Sequence, residues 1–167
     1  MNRRHFIVGG VSLAAMMLAG KAGAFDVFTK KGEGKSKSFP YELSDAQWKE
    51  KLSAEQYRVL RKAGTERSGS SEHNNEKRDG VFHCVGCDHP LFATAHKFES
   101  GTGWPSFYQP YNDQSVEFST DYVLIYARTE EHCANCGGHL GHVFDDGPKP
   151  TGKRHCINGV TLNFKPA

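Results

Sequence analysis

Two S-x-x-Q segments mark where hydrophobic positions first fall into helical spacing. Ser44-Asp45-Ala46-Gln47 and Ser53-Ala54-Glu55-Gln56 each match a capping box, in which Ser and Gln satisfy the first free N–H groups of a helix. The second predicts a helix running to Lys62 and Ala63, ended by Gly64. Trp48, Leu52, Tyr57 and Leu60 are the core-facing positions of this helical segment. Thr65 to Gly80 is polar and rich in Gly and Ser, which predicts a loop.

From Val81 the pattern changes to short apolar runs. The predicted strands are Gly80–Cys84, Pro90–Ala93, Ser115–Ser119, Tyr122–Arg128, His142–Phe144 and Asn158–Phe164. Tyr122-Val123-Leu124-Ile125-Tyr126 is nearly all apolar, as in a strand buried on both faces. Turn signals at Asp79-Gly80, Gly101–Gly103, Asn112-Asp113 and Asp146-Gly147-Pro148 separate the runs. The expected fold is mainly β, a small antiparallel domain with short N-terminal helices.

The first residues follow another pattern. Arg3 and Arg4 precede an apolar run from Phe6 to Leu18, and Ala22-Gly23-Ala24 forms an A-x-A cleavage site. The run is short of the ~20 residues a spanning helix needs. We read 1–24 as an export signal cut after Ala24. Arg3-Arg4-His5-Phe6-Ile7 resembles the twin-arginine type, whereas a general secretory signal or an uncleaved anchor would share the composition. Residues 25–40, rich in Lys, Gly and Ser, read as a flexible linker, so the folded body is expected over 41–167. The expected location is the bacterial periplasm, with no stable membrane association after cleavage.

Charge changes the picture once the signal is set aside. The 167-residue chain carries +2. Loss of 1–24 removes Arg3, Arg4 and Lys21 and no acid, leaving −1. Bulk charge therefore gives no support for a nucleic-acid partner.

The chain has five cysteines, an odd number. Cys84-x-x-Cys87 and Cys133-x-x-Cys136 are paired knuckles within a weak repeat, His-Cys-x-x-Cys-x-x-x-Leu. Two knuckles can complete a closed four-sulfur site, structural rather than catalytic, with one Zn2+ per chain as the expected ion. Two C-x-x-C disulfides, or iron in the same ligand set, are the competing readings. A C-x-x-C-H haem motif is absent, since Asp88 and Gly137 fill the critical positions.

Cys156 is left over, in Arg154-His155-Cys156-Ile157-Asn158. A free thiol of pKa about 8.5 is only about 3% thiolate at pH 7. Arg154, two residues away and so on the same face of a strand, would raise that fraction, as would His155. A buried, inert thiol is the alternative. Two segments favour a site: Gly101-Thr102-Gly103-Trp104-Pro105-Ser106-Phe107, and Gly138-His139-Leu140-Gly141-His142-Val143-Phe144 with two His three apart.

These motifs, in this order, resemble the type B methionine sulfoxide reductases, as do Leu52–Arg61 and Gly64-Thr65-Glu66-Arg67. The likeness covers about Tyr41 to Ala167. It implies a core of two small antiparallel sheets and reduction of the R epimer of methionine sulfoxide, one enzyme serving each epimer. By this resemblance Cys156 is the nucleophile and passes through a sulfenic acid. His139 and His142 flank the sulfoxide oxygen, with His142 or a bridging water as the acid. Trp104, with Phe107, receives the substrate methyl. Arg154 favours the thiolate and Asn158 orients the site by hydrogen bonds. Cys84, Cys87, Cys133 and Cys136 match the zinc ligands. Many relatives have a resolving cysteine where this chain has Thr102, so an external thiol or thioredoxin-like protein is the expected reductant. Oxidised proteins or peptides are the expected substrate. The rival functions are a non-enzymatic zinc-stabilised binding module, a C-x-x-C thiol oxidoreductase, and a reductase of another small sulfoxide.

Overall fold

The computed structural model describes residues 38–121 and 127–167. The signal, most of the linker and the apolar run 122–126 lie outside the described residues. Among the described residues no helix is long and apolar enough to cross a membrane.

Both capping boxes form. Helix α1 covers Asp45–Lys51 and α2 covers Ala54–Lys62, with Ser44 and Ser53 accepting from the N–H of Gln47 and Gln56. The left-handed residue that ends α2 is Ala63 (φ 51°), not Gly64. Phe39 also belongs to the folded body, because its ring packs edge-on against His132.

Nine strands follow among the described residues: β1 Gly80–Cys84, β2 Pro90–Ala93, β3 Lys97–Phe98, β4 Ser106–Phe107, β5 Val116–Asp121, β6 Arg128–Cys133, β7 His139–Phe144, β8 Arg154–Ile157 and β9 Leu162–Pro166. They make a three-stranded sheet, β2-β1-β9, and a six-stranded sheet, β3-β4-β8-β7-β6-β5. Every described pairing is antiparallel.

β1 and β2 occupy the predicted spans. Other boundaries differ. The run predicted as Asn158–Phe164 opens with a 3-10 turn at Gly159–Thr161 before β9 begins. The strand predicted to end at Arg128 instead has Arg128 opening β6.

The core lies between the small sheet and the β4–β8 part of the large one. Phe92 of β2 stacks on Phe107 of β4 at 4.4 Å between ring centroids, and Phe82 of β1 meets the same ring edge-on at 5.3 Å. Leu60 and Trp48 bring the two helices onto this core. The opposite face of the large sheet is polar. Strand register sets Ser106, Cys156, His142, Glu130 and Ser119 side by side across it.

Candidate active site

The two knuckles fold alike, as their shared sequence predicts. In each, the N–H after the second cysteine returns to the carbonyl of the first: Asp88 to Cys84 and Gly137 to Cys133, both at 2.8 Å. Asp88 (φ 62°) and Gly137 (φ 65°) both take the left-handed conformation this turn requires. Tertiary contacts hold the second knuckle. Arg61 of α2 donates to the Cys136 carbonyl at 2.9 Å, and the Tyr41 N–H donates to the Asn135 carbonyl at 2.8 Å.

Four sulfurs meet there. Cys84 and Cys136 Sγ are 3.7 Å apart, Cys87 and Cys133 Sγ are 3.6 Å apart, and all four lie within 4.8 Å of one another. A tetrahedral ion with metal–sulfur bonds of ~2.3 Å needs sulfurs about 3.8 Å apart. The donor set therefore fits a closed four-sulfur metal site. All five cysteines are free, so neither C-x-x-C is a disulfide.

Cys156 lies elsewhere on the sheet. β6 links the two places, with Cys133 at one end and Glu130, opposite His142, three residues before it. Three residues of strand span about 10 Å. Here a cavity of about 160 Å³ is lined by Thr65, Trp104, Arg128, Gly141, His142, Phe144, Cys156 and Asn158. Pockets for drug-sized ligands run to about 300–1,000 Å³, so this one suits a single side chain.

Four of the lining side chains are held by hydrogen bonds from behind. His142 Nε2 donates to Asp121 Oδ2 at 2.9 Å, and Arg128 donates to the same oxygen at 2.6 Å. Trp104 Nε1 donates to the Glu66 carbonyl at 3.3 Å. Asn158 lies just past the end of β8 and is 4% exposed. Its amide donates to the Leu140 carbonyl, and its oxygen accepts from the Glu66 N–H, both at 2.9 Å. The Glu66 carboxylate in turn accepts from the N–H groups of Gly159 and Val160. Gly141 has no substitute, since a Cβ there would sit 2.0 Å from the Cys156 carbonyl oxygen.

Cys156 is half-buried. Burial pushes its thiol pKa up; the positive charge of Arg154 and hydrogen bonds from Thr102 and Arg154 pull it back in part. Arg154 shares the face of Cys156, as its spacing predicts, and Asp146 grips its guanidinium at 2.8 and 2.9 Å. The same guanidinium lies 4.4 Å from the Phe144 ring centroid.

Besides Arg154, which does not line the cavity, two further expected site residues lie outside it. Phe107 is 0% exposed and wedged between Phe82 and Phe92. It cannot touch substrate, because its partner across β8 is His155, on the face away from Cys156. His139 is 5% exposed, donates to Glu130 Oε1 at 2.7 Å and lies edge-on to His142 at 5.5 Å. Burial pushes its pKa down, against the pull of Glu130. It backs His142 without lining the cavity. Conversely, Thr65, Arg128 and Phe144 line the cavity and Asp121 braces it, roles the sequence reading had not given them.

Residues 52–166 match the family model described as the SelR domain. The chain is 51% identical over 123 residues to the peptide methionine sulfoxide reductase MsrB of Thiobacillus denitrificans, covering 74% of this chain and 93% of that protein. The Agrobacterium fabrum MsrB is 50% identical over 123 residues, covering 74% and 91%. A third relative, the chloroplastic peptide methionine sulfoxide reductase B1 of Oryza sativa, is 52% identical over 124 residues, covering 74% of this chain and 58% of that protein. The chain belongs to the MsrB family of peptide methionine sulfoxide reductases.

Proposed function

We propose that this protein reduces the R epimer of methionine sulfoxide in oxidised proteins or peptides, with Cys156 as nucleophile. The carrying observation is the division of the cysteines. Four are gathered in one cluster, and the fifth opens on a cavity sized for one side chain.

In this reading the sulfoxide side chain enters with its methyl against the Trp104 ring, an apolar surface that suits CH₃. Its oxygen then faces His142 and Asn158. The Cys156 thiolate attacks the substrate sulfur as the S–O bond breaks. The S–S bond formed by that attack is broken when water adds to the Cys156 sulfur and loses a proton, so methionine leaves with two electrons gained and Cys156 is left as the sulfenic acid. The departing oxygen needs a proton. Protonated His142 can supply one directly or through a water, while Asp121 holds the ring by its other nitrogen. Asn158 and Arg154 orient the site and favour the thiolate.

Thr102 cannot form a disulfide, so an external thiol attacks the sulfenic acid. Water leaves, and a second thiol releases reduced Cys156 with formation of the reductant's disulfide. A small thiol or a thioredoxin-like protein has the required chemistry. We infer zinc in the four-sulfur site, where it would tie two distant turns together and supply no catalytic step. The basic–apolar leader supports action in the bacterial periplasm after cleavage following Ala24.

The test supplies both epimers of a peptide-bound methionine sulfoxide with excess dithiol. The expected outcome is loss of the R epimer alone, abolished in Cys156→Ser with metal content unchanged. Turnover of neither epimer by folded, metal-loaded protein would favour the binding-module reading.

A further inference from the structure

Thr65 to Gly80 reads in the sequence as plain loop, yet one residue in it, Glu66, holds both sides of the cavity and uses every polar group it has. Its carbonyl accepts from Trp104 Nε1 at 3.3 Å. Its N–H donates to Asn158 Oδ1 at 2.9 Å. Its carboxylate accepts from the N–H of Gly159 at 2.5 Å and from that of Val160 at 3.0 Å, in the turn that follows Asn158. Glu66 is 4% exposed, so these bonds form without competing water.

The bonds fall into two sets. On the Trp104 side, the Gly69 N–H donates to the Gly103 carbonyl at 2.8 Å, and Ser68 Oγ donates to the Thr102 carbonyl at 2.9 Å. Gly103 (φ 86°) makes room for this approach, since a Cβ there would lie 2.1 Å from Ser68 Oγ. On the other side, Glu66 grips three consecutive residues, Asn158, Gly159 and Val160. Two of those three bonds end on its carboxylate, and a carboxylate accepting from N–H groups makes the stronger, charge-assisted kind. The Glu66 N–H can only donate and the Leu140 carbonyl can only accept, so the Asn158 amide is held one way round, oxygen toward Glu66 and nitrogen toward Leu140.

We propose that Glu66 is a positioning residue that sets the gap between Trp104 and Asn158, and with it the size of the group the cavity accepts on the sulfoxide sulfur. This rests on the reading above, in which the substrate methyl meets Trp104 and its oxygen faces Asn158. Glu66 does not line the cavity and acts through the two walls. With its carboxylate anchored, the walls are tied at one separation, suited to CH₃. Without that anchor, residues 66–69 stay with Thr102 and Gly103, and the Asn158–Val160 turn can move away from Trp104. A wider group then fits.

The test compares two R-epimer peptides, one carrying methionine sulfoxide and one carrying ethionine sulfoxide, whose sulfur bears ethyl in place of methyl. Each is given to metal-loaded protein with excess dithiol, and the readout is the ratio of the two kcat/KM values. Both substrates count the same active molecules, so partial unfolding cancels, and a merely structural role leaves the ratio unchanged. The wild type is expected to favour the methyl substrate by about 10–200-fold, the usual worth of one methylene in a fitted pocket. Glu66→Gln keeps the size but turns an NH₂ donor toward a backbone N–H, and the ratio is expected to fall about tenfold. Glu66→Asp keeps the charge and both oxygens on a shorter stem, and the ratio is expected to fall about threefold. It also stands as the test should Glu66→Gln fail to fold. An unchanged ratio in either folded variant overturns the proposal, as does a wild type that reduces both peptides equally well. Turnover of neither peptide by the wild type is a different result: it overturns the reductase reading, and this inference with it.

Discussion

Cys133 and Cys156 sit on the same six-stranded sheet, and their surroundings oppose each other point by point. Cys133 ends β6 fully buried, with its sulfur 3.6 Å from another sulfur and its turn closed by backbone bonds. Cys156 is half-buried in mid-strand, with a cavity before it, an arginine on its own strand and a histidine opposite. The first environment suits a ligand that never leaves. The second suits a thiol that must ionise, react and be regenerated. The difference shows that a cysteine's role is set by what its sulfur faces, even where secondary structure and neighbouring strands are shared.

The comparison breaks most severely at the metal. A four-sulfur zinc site contributes ~10–16 kcal/mol in small peptides, against ~5–15 kcal/mol for a whole domain. Cys84→Ser, or chelation of the wild type, is expected to abolish cooperative unfolding, read by circular dichroism during a thermal melt. A melt unchanged by complete metal loss would mean that packing alone holds the two knuckles.

His142 and His139 sharpen the contrast at the cavity. His142→Asn is expected to lower kcat/KM by ~10²–10⁴, the usual contribution of a positioned proton donor. His139→Asn acts only through its neighbour and is expected to cost about tenfold. Equal losses would place both rings at the substrate.

The smallest effect is the pH dependence. Burial raises the Cys156 pKa, and the protonated thiol does not attack. kcat/KM is therefore expected to be bell-shaped against pH, its rising limb following ionisation of Cys156 and its falling limb the loss of the proton donor. Arg154→Gln removes the nearest positive charge and should move the rising limb to higher pH. A shift to lower pH would reverse the sign assigned to Arg154.

Much of this was legible in the sequence because the signals were local. A capping box is complete within four residues, and Ser44 and Ser53 both fulfil theirs. The knuckles carry their turn chemistry with them. Trp104, His142, Cys156 and Asn158 do line one cavity. The misreadings came from long-range packing. Phe107 stands in the same motif as Trp104, but a strand alternates, and its phase sends the ring into the core. β6 reads Arg-Thr-Glu-Glu-His-Cys and shows no apolar alternation. Its two carboxylates find partners across the sheet instead, Glu130 in His139 on one face and buried Glu131, through one of its two oxygens, in His155 on the other. Asp121 was invisible for the same reason: its partners, His142 and Arg128, come from other strands. The Ala63 cap shows the limit of local chemistry too, since glycine stood one residue away and was not used.

The second knuckle has a consequence beyond holding the fold together. It ends immediately before β7, and β7 lies against β8 with His142 facing Cys156. Side chains alternate along a strand, so a slip of one residue would exchange the two faces of β7. Cys156 would then face a flanking residue, Gly141 or Val143, instead of an imidazole. A knuckle fixed by its ligands is thus a phase marker for the strand behind it, keeping count over six residues from Cys136 to His142. One residue inserted into that interval would leave both the four-cysteine cluster and the Cys156 thiol intact, yet set them out of step.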